Sequence, residues 1–190
     1  MEPEFDLGPA ARAVAGLLAD VTDEQLKGPT PCPGYTLGDL IDHVGGLSQA
    51  LVHSARKEPK EERPGDASRL PAGWREEFAG RLDGLAEAWR DPAAWDGMTQ
   101  AGGLDLPGAV VATVALNELV VHGWDVARAT GRPWTAEPAH IEACMKLYAG
   151  LPDEAREPGG PFGPRAEVPA DATPLDELVA LSGRDPSWRP

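Results

Sequence analysis

"PGAVVATVALNELVVHGWDVARATG", from Pro107 to Gly131, decides the fold. Pro107 suits a helix's first turn. Gly131, followed by Pro133, suits a glycine cap and a proline stop. The pattern between them predicts a helix of about 23 residues, long enough at ~1.5 Å per residue to cross a small domain. Val111, Val114, Ala115, Glu118, His122, Asp125, Val126 and Ala129 recur at steps of three or four, so they share one face. The first half of that face is apolar and must find a core. The second half carries two carboxylates and an imidazole.

Helical spacing also dominates on either side. Leu7, Ala11, Val14 and Leu18 predict a first helix ending near Asp20, with a short turn from Thr22 ahead of "GPTPCPG". Thr36 is placed to cap a second helix, with Asp39 closing an imperfect capping box. That helix carries the stripe Leu37, Leu40, Ile41, Val44, Leu47 and Leu51. "KEPKEERPGDASRLPAG" breaks the pattern and reads as a linker. Trp74, Phe78, Leu82, Leu85 and Trp89 mark a third helix, which Asp91-Pro92 ends. A further helix is expected from Pro138 to Gly150, and "TPLDELVALSGRDP" closes the chain as a short capped helix. Residues 151–174 are too rich in proline and glycine for a long helix and read as an arm. No strand alternation of useful length and no repeat is expected.

The predicted architecture is therefore all-α: a four-helix bundle with additional short helices and a Pro/Gly-rich C-terminal arm. Residues 1–150 are expected to form the helical bundle, with residues 151–190, the arm and short helix, packed on the same domain.

The chain has 190 residues and 42% hydrophobic content, as an ordinary globular protein does. Its net charge of −14 repels phosphate backbones and anionic lipid, so neither nucleic acid nor a membrane is an expected partner. No apolar run approaches the roughly 20 residues of a membrane span. The N-terminus lacks the basic leader and cleavage site of a signal peptide, so the expected location is cytoplasmic. Cys32 and Cys144 form no CxxC pair and are read as structural or incidental.

Glu118, His122 and Asp125 continue an apolar face, so burial is expected for at least some of them. An unpaired buried carboxylate normally takes a proton or a partner. Glu118 and His122, one turn apart, can satisfy each other as a simple pair. That pairing leaves Asp125 and the second helix unexplained. There His43, in "GDLIDHVGG", sits at the edge of the apolar stripe, where it is either a core-edge residue or a ligand. Together, His43, Glu118 and His122 offer two imidazoles and a carboxylate from two core-facing stripes. Zn²⁺ takes such donors at about 2.0–2.2 Å, and three of them leave a position open. Asp125 then accepts a hydrogen bond from a ligand's far ring nitrogen or from bound water, unless it is only a charge near the helix end. His53 and His140 are read as unrelated. "AGGLDLPG" lacks a lysine and phosphate-loop spacing.

"TPCPGYTLGDLIDHVGG", "LNELVVHGWDVARATGRPW" and "FGPRAEVPADATPLDELVALSGRDP" resemble the actinobacterial metal-binding proteins related to the N-terminal domain of mycothiol-dependent maleylpyruvate isomerase. Those proteins belong to the DinB/YfiT-like four-helix-bundle superfamily. The resemblance spans nearly the whole chain. It implies a divalent metal, usually zinc, on His43, Glu118 and His122, and a low-molecular-weight thiol, mycothiol, as co-substrate. In the characterised relatives the metal activates the thiol as thiolate for attack on a small electrophile. The isomerase has a further C-terminal domain that contributes to its active site, whereas this chain stops soon after its arm, which argues against maleylpyruvate isomerisation itself.

The leading expectation is thus a metal-dependent thiol S-transferase or isomerase acting on a small electrophile, as a monomer or homodimer. The alternatives are a non-catalytic metal- or ligand-binding module and a hydrolase using metal-bound water. Trp124 and Tyr35 can line a pocket or simply pack.

Overall fold

The computed structural model describes residues 1–58, 60, 63–151 and 163–190. Helix α1 spans Gly8–Ala19, α2 Leu37–Ala55, α3 Trp74–Ala88, α4 Pro92–Trp95, α5 Gly108–Ala129, α6 Pro138–Ala149 and α7 Pro174–Leu181. Single 3-10 turns lie at Gln25–Lys27 and Ala67–Arg69. Strands β1 (Met98–Ala101) and β2 (Leu104–Pro107) form an antiparallel hairpin. The described residues are therefore mostly helical, with one small two-stranded sheet.

The helices begin and end where their caps dictate. Thr36 accepts from the Asp39 N–H while Asp39 accepts from the Thr36 N–H, so the capping box is complete despite its shorter carboxylate. Thr173 and Asp176 repeat the device at α7. Gly131, at φ +69°, turns the chain out of α5. There the Gly131 N–H bonds the Arg128 carbonyl and the Arg132 N–H bonds the Ala127 carbonyl, which is a Schellman ending. Asp91-Pro92 does more than end α3, because Asp91 caps the one-turn α4 by accepting from Ala93 N–H.

Helix α1 packs against α3 and α5, and α2 packs against the same two helices. Leu18, Ile41, Leu82, Val111, Leu116 and Val120 meet in the interior with no exposed surface. Burying each of these aliphatic side chains contributes roughly 1.5–3 kcal/mol. Helix α6 lies on α5, and α7 lies on α6 through buried Leu178, Val179 and Ala180. Helix α5 is long and apolar enough to cross a bilayer by length and composition, but it runs through the core, where 72% of its most apolar window is buried.

The hairpin corrects the expectation of no strand. Its strands have four residues each, too short to display alternation. Gly102 and Gly103 carry the overlooked signal: both have positive φ, +57° and +75°, as a two-residue hairpin turn requires. The Thr99 hydroxyl donates to the Ser54 carbonyl and the Ser54 hydroxyl to the Gln100 carbonyl, each at 2.7 Å, tying the hairpin to the end of α2.

The linker 57–73 and the arm 151–174 each fall partly outside the described residues, at 59 and 61–62 and at 152–162. From residue 163 the arm rejoins α7, where the Ala166 N–H donates to the Ala180 carbonyl.

Candidate metal centre

Helix α2 carries His43 one turn after Leu40 and one turn before Leu47, and α5 carries Glu118, His122 and Asp125 on the face that meets α2. His122 Nε2 lies 2.9 Å from Glu118 Oε2, and His43 Nε2 lies 3.9 Å from the same oxygen. The two imidazole rings meet edge to face, 5.1 Å apart. One ligand atom from each of the three residues falls within 4.8 Å of the other two. His122 Nδ1 contacts Asp125 Oδ2 at 2.9 Å, so the second ring nitrogen is held as well. Asp125 has no exposed surface, which removes the reading of it as a charge at the helix end.

Two residues that the sequence reading did not assign complete the cluster. Arg184 donates from Nη2 to Asp125 Oδ2 at 3.0 Å, and its Nε lies 3.4 Å from Oδ1, a two-pronged grip on a buried carboxylate. It arrives because Gly183, at φ +87°, turns the chain back at the end of α7. Cys32 Sγ lies 3.6 Å from Arg184 Nη2. The Thr30 hydroxyl, bonded to the carbonyls of Cys32 and Tyr35, braces that loop. Cys32, His122 and Asp125 also bring donor atoms within 4.8 Å of one another, but the Arg184 guanidinium already sits there as the cation. No local pattern in the sequence places Arg184 beside Asp125; only tertiary packing brings it there.

Charge in the cluster is nearly balanced. Burial alone would lower the His122 imidazole, but the Glu118 and Asp125 carboxylates outweigh it and raise its pKa to about 9. Burial would raise Glu118, yet His122 outweighs that and holds it low. Burial, then the neighbouring His122, push His43 down to about 4, so it is a neutral imidazole at pH 7. Burial pushes the Cys32 thiol up to about 11 and the Cys144 thiol up to about 12, so both stay protonated. The His122 proton thus stands where a metal's charge would stand.

This arrangement makes stability depend on pH. The His122 value lies above the ordinary 6.5, so its ion pairs stabilise the metal-free fold fully below pH 6.5 and lose that effect as pH rises through about 9. Raising the pH from 6.5 to 9.5 is expected to remove on the order of 1–3 kcal/mol, at about 2–4 °C in Tm per kcal/mol for a chain of this size. Thermal melts followed by circular dichroism check this, and His122→Gln should flatten the profile.

The donors border two spaces of different size. Toward the core, Val44, Leu47, Leu51 and Leu85 enclose only about 10 Å³ beside Glu118 and His122, room for no more than about one water. On the other side His43 lines a cavity of about 230 Å³ with Asp42, Gln49, Arg63 and Arg69. His43 and Glu118 keep 22% and 24% of their side-chain surface exposed, and of the three donors His43 is the one that lines this cavity. Tyr35 lines an adjoining groove of about 360 Å³. Trp124 is buried, with Arg128 over its ring, and lines neither space. His53 and His140 are not among the clustered donors; His140 instead pairs with Glu137.

The profile of the mycothiol maleylpyruvate isomerase N-terminal domain matches residues 7–127. An uncharacterized protein of Mycobacterium tuberculosis is 31% identical over 189 residues, covering 97% of this chain and 98% of its own length. A second uncharacterized protein of that organism is 28% identical over 206 residues, covering 97% of this chain and 76% of its own. The crystal structure of the mycothiol-dependent maleylpyruvate isomerase superposes with a TM-score of 0.59 at 18% identity, over 83% of this chain and 71% of that one. At that identity the likeness speaks for the fold. With a profile match across most of its length and a full-length relative above 30% identity, the chain belongs to the mycothiol maleylpyruvate isomerase N-terminal domain family.

Proposed function

We propose that this chain is a divalent-metal protein on a DinB-like four-helix-bundle scaffold that presents a small-molecule thiol, mycothiol, to an electrophile in the cytoplasm. In this reading the described residues up to 150 make up the bundle, and the described residues 163–190 belong to the same unit. The observation that carries this reading is the convergence of His43 Nε2 and His122 Nε2 on Glu118 Oε2, at 3.9 and 2.9 Å. Donors of a tetrahedral ion with bonds of about 2.0–2.2 Å stand roughly 3.3–3.5 Å apart, so small rotations of these side chains suffice. Two imidazoles and a carboxylate suit Zn²⁺.

The surrounding residues prepare that donor set. Asp125 accepts a hydrogen bond from His122 Nδ1–H, which fixes the ring so that Nε2, once it gives up its proton to make room for the ion, offers its lone pair beside Glu118 and His43. Arg184 holds Asp125 in place. His43 needs no deprotonation at neutral pH. A divalent ion bound by these residues supplies the positive charge that favours thiolate over thiol at neutral pH. The chain's own cysteines are held as thiols, so the nucleophile comes from outside. Partial exposure of His43 and Glu118 and the 230 Å³ cavity that His43 lines favour an open, reactive site over a closed structural one. The reaction class is S-transfer or thiol-dependent isomerisation.

Incubation with mycothiol and a panel of small electrophiles, followed by mass spectrometry, tests the activity. Adduct or isomer is expected to form well above the uncatalysed rate, and only while the metal is present. Formation that chelation does not slow would contradict the reading.

A further inference from the structure

Residues Pro64–Arg69 cross the first turns of α2 as a strap. Gly65 N–H donates to the Tyr35 hydroxyl at 2.9 Å, Asp66 N–H to Asp42 Oδ2 at 3.0 Å and Ala67 N–H to Asp39 Oδ1 at 2.8 Å. The Arg69 guanidinium adds a bond to Asp42 Oδ2 at 2.7 Å. Gly65 lies so close to α2 that a Cβ there would fall 2.0 Å from the Asp39 carbonyl oxygen and 3.0 Å from His43 Cβ. Neither neighbour is the loose end of a flexible side chain, so only glycine lets the strap approach this far.

The strap bears directly on His43. Its backbone at Gly65 faces His43 Cβ. The Tyr35 ring, whose hydroxyl the strap holds, lies 5.6 Å from the His43 ring at a tilt of 50°. The His122 ring meets the same imidazole from another side. His122 has its far nitrogen fixed by Asp125, whereas among the described residues no hydrogen bond fixes His43 Nδ1. A ligating histidine usually has its far nitrogen held. Here packing replaces that bond.

We propose that the Pro64–Arg69 strap and Tyr35 clamp His43 in its ligating orientation, which makes Gly65 and Tyr35 positioning residues for the metal. This inference rests on the metal reading of the site. Gly65→Ala lifts the strap off α2 and releases His43, while the helices that form the core stay in place.

Chelator competition with Zn²⁺ and the visible d–d spectrum with Co²⁺ test this in the full-length protein. Gly65→Ala is expected to weaken metal binding about 10–100-fold, the range for losing an orienting partner, and to shift the cobalt bands. Gly73→Ala, whose Cβ would meet nothing within 4 Å, is the control and should behave as wild type. In a His43→Ala background Gly65→Ala should add almost nothing, because both changes act through one ligand. Tyr35→Leu, which removes both the ring contact and the strap's acceptor, carries the same test should Gly65→Ala not fold. If wild type takes up no metal, the metal reading itself fails. If wild type binds but Gly65→Ala binds equally with an unchanged cobalt spectrum, the clamp alone is overturned. A full additional loss in the His43→Ala background overturns it too, since the strap would then act elsewhere.

Discussion

Replacing His122 with alanine is expected to reduce metal affinity by well over 100-fold, more than the 10–100-fold typical of losing an orienting partner. His122 contributes one of only three candidate donors, and it is the one tied on both ring nitrogens: Nε2 to Glu118 and Nδ1 to Asp125. Removing it also leaves Glu118 and Asp125 without the cation that lies between them. Some loss of stability will therefore accompany the loss of metal, and the two need separating. His122→Gln keeps bulk and a hydrogen-bonding amide near Asp125 but is a poor metal ligand. Chelator competition on both variants, with circular dichroism to verify the fold, should show affinity collapsing in each while helicity persists in the glutamine variant. Unchanged affinity in His122→Gln would remove this residue from the ligand set.

Arg184→Ala is expected to cost about 3–5 kcal/mol of stability, the usual penalty for leaving a buried charge without its partner. Asp125 has no exposed surface, and Arg184 supplies two of its contacts. Burial disfavours the guanidinium's charge, yet Asp125 outweighs this and raises its pKa further. Arg184→Lys keeps the charge but not the planar fork, so an intermediate loss is expected. Adding Asp125→Asn to Arg184→Ala should recover part of the stability, because Asp125 then no longer needs a second cation beside His122. Urea denaturation measures all three. Metal affinity should fall with Arg184→Ala as well, since Asp125 is then free to leave His122. Equal stability of wild type and Arg184→Ala would mean that the Arg184–Asp125 contact does not hold the turn after α7 against α5.

The fold was legible wherever a local rule set it. The Thr36 box, the Gly131 ending and the stripes of α2, α3 and α5 are consequences of neighbouring residues, and each stands within a residue or two of its expected place. The hairpin was not legible from alternation, because four residues per strand carry too little of it, although Gly102-Gly103 marked the turn. The site divides the same way. Glu118, His122 and Asp125 betrayed themselves as polar residues continuing an apolar face, and His43 as the histidine at the edge of the facing stripe. Arg184 and Cys32 gave no comparable sign. They reach α5 from a loop before α2 and from the turn after α7, and only tertiary packing brings them there. Cys32 in particular carries no sequence sign of the site, yet it lies against the arginine that supports Asp125. The strap over His43 was read only as part of a linker, because nothing in its composition shows that Gly65 must rest on α2.

The central claim is an open metal that accepts a thiol, and the Co²⁺-substituted protein tests it most directly. Three protein donors leave at least one position free, and a thiolate competes well with water for a borderline-soft ion. Adding mycothiol should produce a sulfur-to-cobalt charge-transfer band in the near ultraviolet, and His43→Ala should weaken it by disturbing the ion. A spectrum unchanged at millimolar mycothiol, with cobalt demonstrably bound, would contradict the account and leave a structural ion or metal-bound water as the better description.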